Sequence, residues 1–278
     1  MTTAMYQLWQ LPLDRQAYVW RAPEPRANLL LQHGYSEYAE RFVRLYNELI
    51  PQLLAHHINV YAFDMQGHGR SPGERGLVNV DNAVQDHLAA RQALANETLP
   101  LFLFGHSLGG LVTASSVALN QNGVAGVILT SPAIPQHNIL LRLLARVLAA
   151  LAPGSAAPLH PDDPSLLSRR PEVIEDANND AMKYQGKLRN LVAATALSRN
   201  RANRKLYPGW KVPVLILHGT DDRVTDPRGS QILYDTIAAE DKTLHLIEGG
   251  YHELLNDTER DDTLRLILDW LDQRVQHR

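Results

Sequence analysis

Leu101-Phe102-Leu103-Phe104-Gly105-His106-Ser107-Leu108-Gly109 decides the reading of this chain. Four apolar residues make a short strand, the G-x-S-x-G pattern follows at once, and 108–120 reads as a helix. A chain that ends a strand, reverses sharply and enters a helix holds the serine hydroxyl clear of neighbouring side chains. Glycine at 105 and 109 leaves room for that turn, where a Cβ would crowd the adjoining strand or helix. At ordinary glycine and serine usage, about 0.1 copies of the pattern arise by chance in a chain of this size. The pattern alone is a moderate signal. Its strand–turn–helix setting turns it into a strong one for a serine hydrolase.

The rest of the chain repeats the same rhythm. Runs at 6–11 and 16–21, separated by Pro12-Leu13-Asp14, fit a hairpin at a sheet edge. Buried strands are expected at 27–32, 58–63, 101–104, 124–130, 212–217 and 243–247. Helices are expected at 39–56, 80–95, 108–120, 227–239 and 258–273. Continuous apolar strands between amphipathic helices mean a mostly parallel sheet covered on both faces, so the class is α/β. The stretch from 131 to 208 breaks the alternation: it carries seven prolines between 132 and 171 and no clear strand. It reads as an inserted cap on a core made of 1–130 and 209–278. Within it, 139–151 is strongly apolar. The plain reading is a cap helix packed on the core; the sharper one is a lid whose apolar face meets lipid substrate or a membrane surface.

Composition narrows the function classes. With 278 residues and 45% hydrophobic content, the chain can bury a large core, as one large domain or one domain carrying an insertion. A net charge of −3 without a basic run excludes a nucleic-acid surface. The lack of cysteine excludes disulfides, thiolate catalysis and cysteine-ligated metals. Met1 to Gln10 shows no basic region leading into an apolar core, and no apolar run reaches the roughly 20 residues of a membrane span. The expectation is a cytoplasmic protein, with its oligomeric state left open.

A serine hydroxyl is a weak nucleophile until a base takes its proton, and that base needs an orienting carboxylate. On this fold class the order is Ser, acid, His, each after a strand. After the strand at 212–217 come Asp221, Asp222 and Asp226. Asp226 better caps the helix starting at Pro227, which leaves Asp221 and Asp222, the latter three residues past Gly219, as candidates for the acid. After the last strand, Glu248-Gly249-Gly250-Tyr251 presents His252. His252-Glu253-Leu254-Leu255-Asn256 lacks the second histidine of a zinc H-E-x-x-H site, and no other histidine spacing supports a metal. For the oxyanion, the N–H of Leu108 and that of Tyr35, in His33-Gly34-Tyr35, are the candidate donors. Gly67-His68-Gly69-Arg70-Ser71 reads as a structural turn.

Taken together, these segments resemble the monoacylglycerol lipase and lysophospholipase branch of the α/β-hydrolase superfamily. The matching pieces are His33–Glu37, Asp64–Ser71 and Gly105–Gly110, then Asp163–Arg169, Gly219–Arg223, Asp241–Thr243 and Glu248–His252. The resemblance implies a triad of Ser107, Asp222 and His252, oxyanion donors at Tyr35 and Leu108, and headgroup contacts from Glu37 and Arg41. The plain alternative for that last pair is a surface i,i+4 ion pair. The pattern departs at Tyr35, where relatives often have a small residue, and at Tyr38, where they have histidine. A bulky side chain at 35 is expected to narrow the headgroup pocket.

The expected activity is therefore hydrolysis of single-chain lipid esters, first among them monoacylglycerols, without a cofactor. Lysophospholipase, broad carboxylesterase and aminopeptidase activities would share every triad residue. A catalytically inactive ligand-binding member of the fold is the rival outside enzymes.

Overall fold

The strand leading to Ser107 is buried on both sides, and its alternate residues serve two different cores. In the computed structural model, which describes residues 5–135, 139–158 and 163–276, eight strands form one sheet. They are β1 (Gln7–Leu8), β2 (Ala17–Trp20), β3 (Ala27–Gln32), β4 (Ile58–Phe63), β5 (Leu101–His106), β6 (Val124–Thr130), β7 (Val214–Gly219) and β8 (Lys242–Ile247). Their order across the sheet is β1-β2-β4-β3-β5-β6-β7-β8. The pairs from β4 to β8 are parallel, and β2 and β1 add antiparallel at one edge.

Side chains on a strand alternate faces, so a strand covered on both sides must be apolar throughout. Leu101 and Leu103 join one apolar cluster with Leu30, Val127, Leu129, Val214 and Ile216. Phe102 and Phe104 join the other with Leu29, Leu31, Ile128, Leu215 and Leu217. The first face is covered by α3 (Val80–Ala93), α4 (Leu108–Leu119) and α8 (Pro227–Thr236), the second by α1 (Arg41–Arg44), α2 (Leu49–Ala55) and α9 (Arg260–Gln276). Each fully buried Leu, Ile or Phe contributes about 1.5–3 kcal/mol of gross transfer free energy, so these two layers dominate the fold's stability.

The single helix expected over 39–56 is broken. Tyr46, Asn47 and Glu48 take φ values of 54°, 54° and 53°, so α1 stops after one turn and α2 begins at Leu49. Tertiary contacts override the helical pattern here. Tyr46 stacks on Phe42 with ring centroids 3.9 Å apart, and its N–H donates to the Asn256 side chain.

Between β6 and β7 the chain forms α5 (Ile139–Leu151), α6 (Pro171–Asn179) and α7 (Asn190–Asn203), and no strand among the described residues. α7 is not a separate layer: Val192 enters the first core and Asn203 donates to Ser115 on α4 at 2.7 Å. α5 is amphipathic in an unexpected sense. Ala145 and Arg142 are buried, while Leu140, Leu143, Leu144, Val147 and Leu151 are exposed. Among the described residues, no helix is long and apolar enough to cross a membrane.

Candidate active site

Because β3, β5, β7 and β8 run in one direction, the segments that follow them emerge along one edge of the sheet, where open α/β sheets bind ligands. Ser107 sits at the bend between β5 and α4 with φ 53° and ψ −121°, a conformation strained for any residue with a Cβ. Three hydrogen bonds hold the bend. Ser107 N–H donates to Thr130 O at 3.0 Å, and Ser107 O accepts from Ala133 N–H at 2.9 Å and Leu111 N–H at 3.2 Å.

His252 follows β8 with Nε2 2.9 Å from Ser107 Oγ and Nδ1 2.8 Å from Asp222 Oδ2. Facing a carboxylate, Nδ1 carries the hydrogen, which leaves Nε2 free to accept from the serine hydroxyl. Asp222 is buried, whereas Asp221 is exposed. The Asp222 carboxylate is saturated. Oδ1 accepts from the N–H groups of Val224 at 2.8 Å and Thr225 at 2.9 Å, and Oδ2 accepts from Thr225 Oγ1 at 2.8 Å and faces His218 Nε2 at 3.1 Å. Asp226 caps α8 through Arg228 N–H at 2.9 Å, as its position before Pro227 suggested.

Charge follows this geometry. Burial pushes Asp222 up, but the His252 charge and the hydrogen bonds from His218 and His252 outweigh it, holding the carboxyl well below the usual range. Burial pushes the His252 imidazolium down, yet the Asp222 charge and hydrogen bond, with Glu253 and Glu37 adding, hold it above the ordinary histidine value. His106, whose ring lies 5.0 Å from that of His252, is pushed far down by burial and by the neighbouring histidine, so it stays neutral.

The expected oxyanion donors flank the same point. Leu108 is the first residue of α4, where N–H groups have no partner within the helix and the dipole favours negative charge. Gly34 packs against the nucleophile: a Cβ built there would lie 3.2 Å from Ser107 Cβ, so the Tyr35 amide starts beside the serine. The Tyr35 ring lines the cavity wall, and its hydroxyl donates to Gly76 O at 2.8 Å, which ties the loop to its neighbour. Gly67 and Gly69 take φ of 69° and 49°, and the turn between them wraps Asp64, with Arg70 N–H donating to its Oδ2 at 2.9 Å. That is the structural turn the sequence suggested.

Glu37 and Arg41 are paired, but the pair is buried rather than at the surface. Glu37 lines the cavity, whereas the Arg41 side chain has 0% exposure and lies behind it. Arg41 bonds to Glu37 at 2.6 Å, Asp176 at 3.0 Å and Asp180 at 2.7 Å, so it joins α1 to α6 and the residue that follows it. Tyr38 reaches the same Asp180 at 2.9 Å. The Arg41 side chain presents no surface to the cavity as it stands in this structure. Burial also pushes Glu37 upward; Arg41 opposes that and Glu253 adds to it.

The cavity over Ser107 has a volume of about 460 Å³. Leu141, Leu144, Leu148, Leu167, Leu188 and Leu197, from the segment between β6 and β7, build its apolar walls, while Glu37, Glu253 and Lys183 stand at its polar end. Among the described residues no cluster of His, Asp and Glu could hold a metal ion. His218, Thr225 and Glu253 are the site neighbours that sequence reasoning missed. His218 is in β7, one residue beyond the strand end read from sequence, and Glu253 figured only in the rejected zinc pattern. The i,i+4 spacing of His218 and Asp222 was the one available signal.

The family described as Hydrolase_4, "Serine aminopeptidase, S33", matches residues 23–259. The chain is 33% identical over 254 residues to the monoacylglycerol lipase of Mycolicibacterium smegmatis, covering 89% of each. It is 32% identical over 237 residues to the monoglyceride lipase of Homo sapiens, covering 83% of this chain and 76% of that one. The crystal structure of a monoacylglycerol lipase from Paleococcus ferrophilus superposes with a TM-score of 0.83 at 32% identity, covering 96% of this chain and all of that one (100%).

Proposed function

This chain belongs to the serine aminopeptidase S33 family of hydrolases, and from that premise we propose that it cleaves monoacylglycerols to glycerol and free fatty acid. One observation carries the reading: a serine–histidine–aspartate chain with links of 2.9 and 2.8 Å at the floor of a leucine-walled cavity. Similarity to lipases that act on such esters supports it.

Ser107 Oγ attacks the ester carbonyl as His252 Nε2 takes its proton, and Asp222 stabilises the resulting imidazolium. The N–H groups of Tyr35 and Leu108 receive the oxyanion. His252 then protonates the leaving glycerol oxygen. In the second half it activates a water that releases the fatty acid and regenerates the serine.

The acyl chain lies along the leucine walls, and the alcohol lies toward Glu37 and Glu253. Two carboxylates partly offset by Lys183, 3.9 Å from Glu37, favour a neutral polyol over a phosphodiester, whose negative charge they repel. This is why glycerol esters rank ahead of lysophospholipids. The 131–208 segment acts as the cap, and the outward leucines of α5 meet the lipid surface from which substrate enters.

Fatty-acid release from a monoacylglycerol and a lysophospholipid of equal chain length tests the reading, with Ser107→Ala as control. Preference for the monoacylglycerol, lost in the variant, is the expected result. Equal rates would overturn the headgroup assignment, and release that survives in Ser107→Ala would overturn the mechanism.

A further inference from the structure

Asp222 Oδ2 faces two imidazoles rather than one. His252 Nδ1 stands 2.8 Å from it and His218 Nε2 3.1 Å. Both rings are buried, and the His218 side chain has 0% exposure. The tautomer of His218 follows from its neighbours. Nε2 faces only acceptors at its shortest contacts, Asp222 Oδ2 and the Thr225 carbonyl at 3.2 Å, so it carries a hydrogen and donates. Nδ1 lies 2.6 Å from Ser230 Oγ on α8, also fully buried. A continuous chain therefore runs Ser230–His218–Asp222–His252–Ser107, a histidine and a serine on each side of the carboxylate.

We propose that His218 is a positioning residue: by donating to Asp222 it sets how strongly that carboxylate holds His252, and so how basic His252 is toward Ser107. The proposal rests on the serine-hydrolase reading above. A carboxylate oxygen shared between two donors concentrates less negative charge on either, and low local dielectric makes that sharing count. The other groups around the pair are fixed. His252 is faced by Ser107, neutral His106, Glu37 and Glu253, and His218 by Thr225, Ser230 and Asp226. None of the others donates an imidazole N–H to Asp222.

The sign separates this role from a merely structural one. Without the His218 donor, Oδ2 keeps only the Thr225 hydroxyl and His252 as partners, the imidazolium is favoured, and the acid limb of activity moves to higher pH. If His218 only packs the loop, losing it lets Asp222 drift, and the limb moves down or stays put.

The test compares the full-length chain with His218→Leu, His218→Gln and Ser230→Ala. It reads kcat/KM against pH on p-nitrophenyl butyrate and follows the His252 ring by NMR titration, which needs no turnover. Expected in His218→Leu is an upward move of the midpoint by about half to one pH unit. His218→Gln, whose amide can still donate, should return most of it. Ser230→Ala, which removes only the partner that polarises His218, should move it the same way by less and covers the case where His218→Leu does not fold. A midpoint unmoved or lowered in every variant that folds would overturn the proposal. If the wild type shows no Ser107-dependent hydrolysis, the hydrolase reading falls, and the NMR midpoints still decide the role of His218.

Discussion

Replacing Arg41 by methionine removes the buried cation that bridges Glu37, Asp176 and Asp180, leaving only the half-exposed Arg44 beside the aspartates and Lys183 3.9 Å from Glu37, while keeping a side chain of similar length. Arg41 is fully buried, Glu37 4% exposed and Asp180 9%, so solvent can do little to screen those two acids, while Asp176 is 20% exposed. Breaking a buried ion pair by deleting one partner costs about 3–5 kcal/mol, because the remaining charge stays desolvated. For a chain of this size that is a fall in Tm of roughly 6–20 °C. The pH dependence carries a second signature. Burial already raises Glu37 above its ordinary value, and loss of Arg41 raises it further. A carboxyl whose folded pKa exceeds its unfolded one adds stability at low pH and loses it as pH rises through the folded pKa. The deficit of Arg41→Met should therefore shrink from pH 8 to pH 5 in urea unfolding monitored by tryptophan fluorescence, and Arg41→Met with Glu37→Gln should recover part of it. A deficit below about 1 kcal/mol, or one that stays flat with pH, refutes the reasoning. So does a variant that melts normally but loses substrate affinity, since that is what a headgroup contact would produce.

Burial holds His33, His68, His87 and His106 below the ordinary histidine value, His68 and His87 at about 3. The unfolded chain then binds more protons below pH ~6.5, so each should cost about 1.4 kcal/mol of stability per pH unit as pH falls below that point. His252, shifted the other way, opposes them, and the urea midpoint should still drop from pH 7 to pH 5; a rise would contradict the four neutral assignments. Gly105→Ala places a Cβ 2.6 Å from Gly109 O and Thr113 Oγ1, so it should lower both the melting temperature and the rate by forcing α4 away from β5; calorimetry showing an unchanged Tm would count against that. Ala145→Phe, on the cavity wall, should depress kcat/KM for long acyl chains while sparing a butyryl ester, and equal losses on both would contradict the placement of the chain beneath α5.

What could be read from the sequence was what depends on local pattern. β3, β4 and β6 begin and end where the apolar runs do, because each strand is buried on both faces and its ends are marked by polar or turn residues. Ser107, Asp222 and His252 were selected by their positions after strands, and the parallel sheet brings those positions together. The break at Tyr46–Glu48 was invisible, since the pattern there is helical and the cause, Asn256, lies 210 residues away. The full set of Arg41 partners was hidden for a similar reason: spacing shows Glu37 four residues before it, but its two aspartate partners come from α6 and the turn after it. His218 was passed over because its i,i+4 spacing from Asp222 carries weight only once the turn after β7 folds the two together.

The Arg41 cluster also constrains how such proteins can be recombined. The segment between β6 and β7 supplies most of the cavity wall, so exchanging it between relatives is the obvious way to graft one enzyme's chain-length preference onto another's scaffold. Yet α6 and its end contribute Asp176 and Asp180 to a cation rooted in α1. A chimera that imports a segment without those two acids would inherit the fault of Arg41→Met in mirror image, a stranded guanidinium instead of stranded carboxylates. A transplantable unit must therefore include position 41 along with the segment.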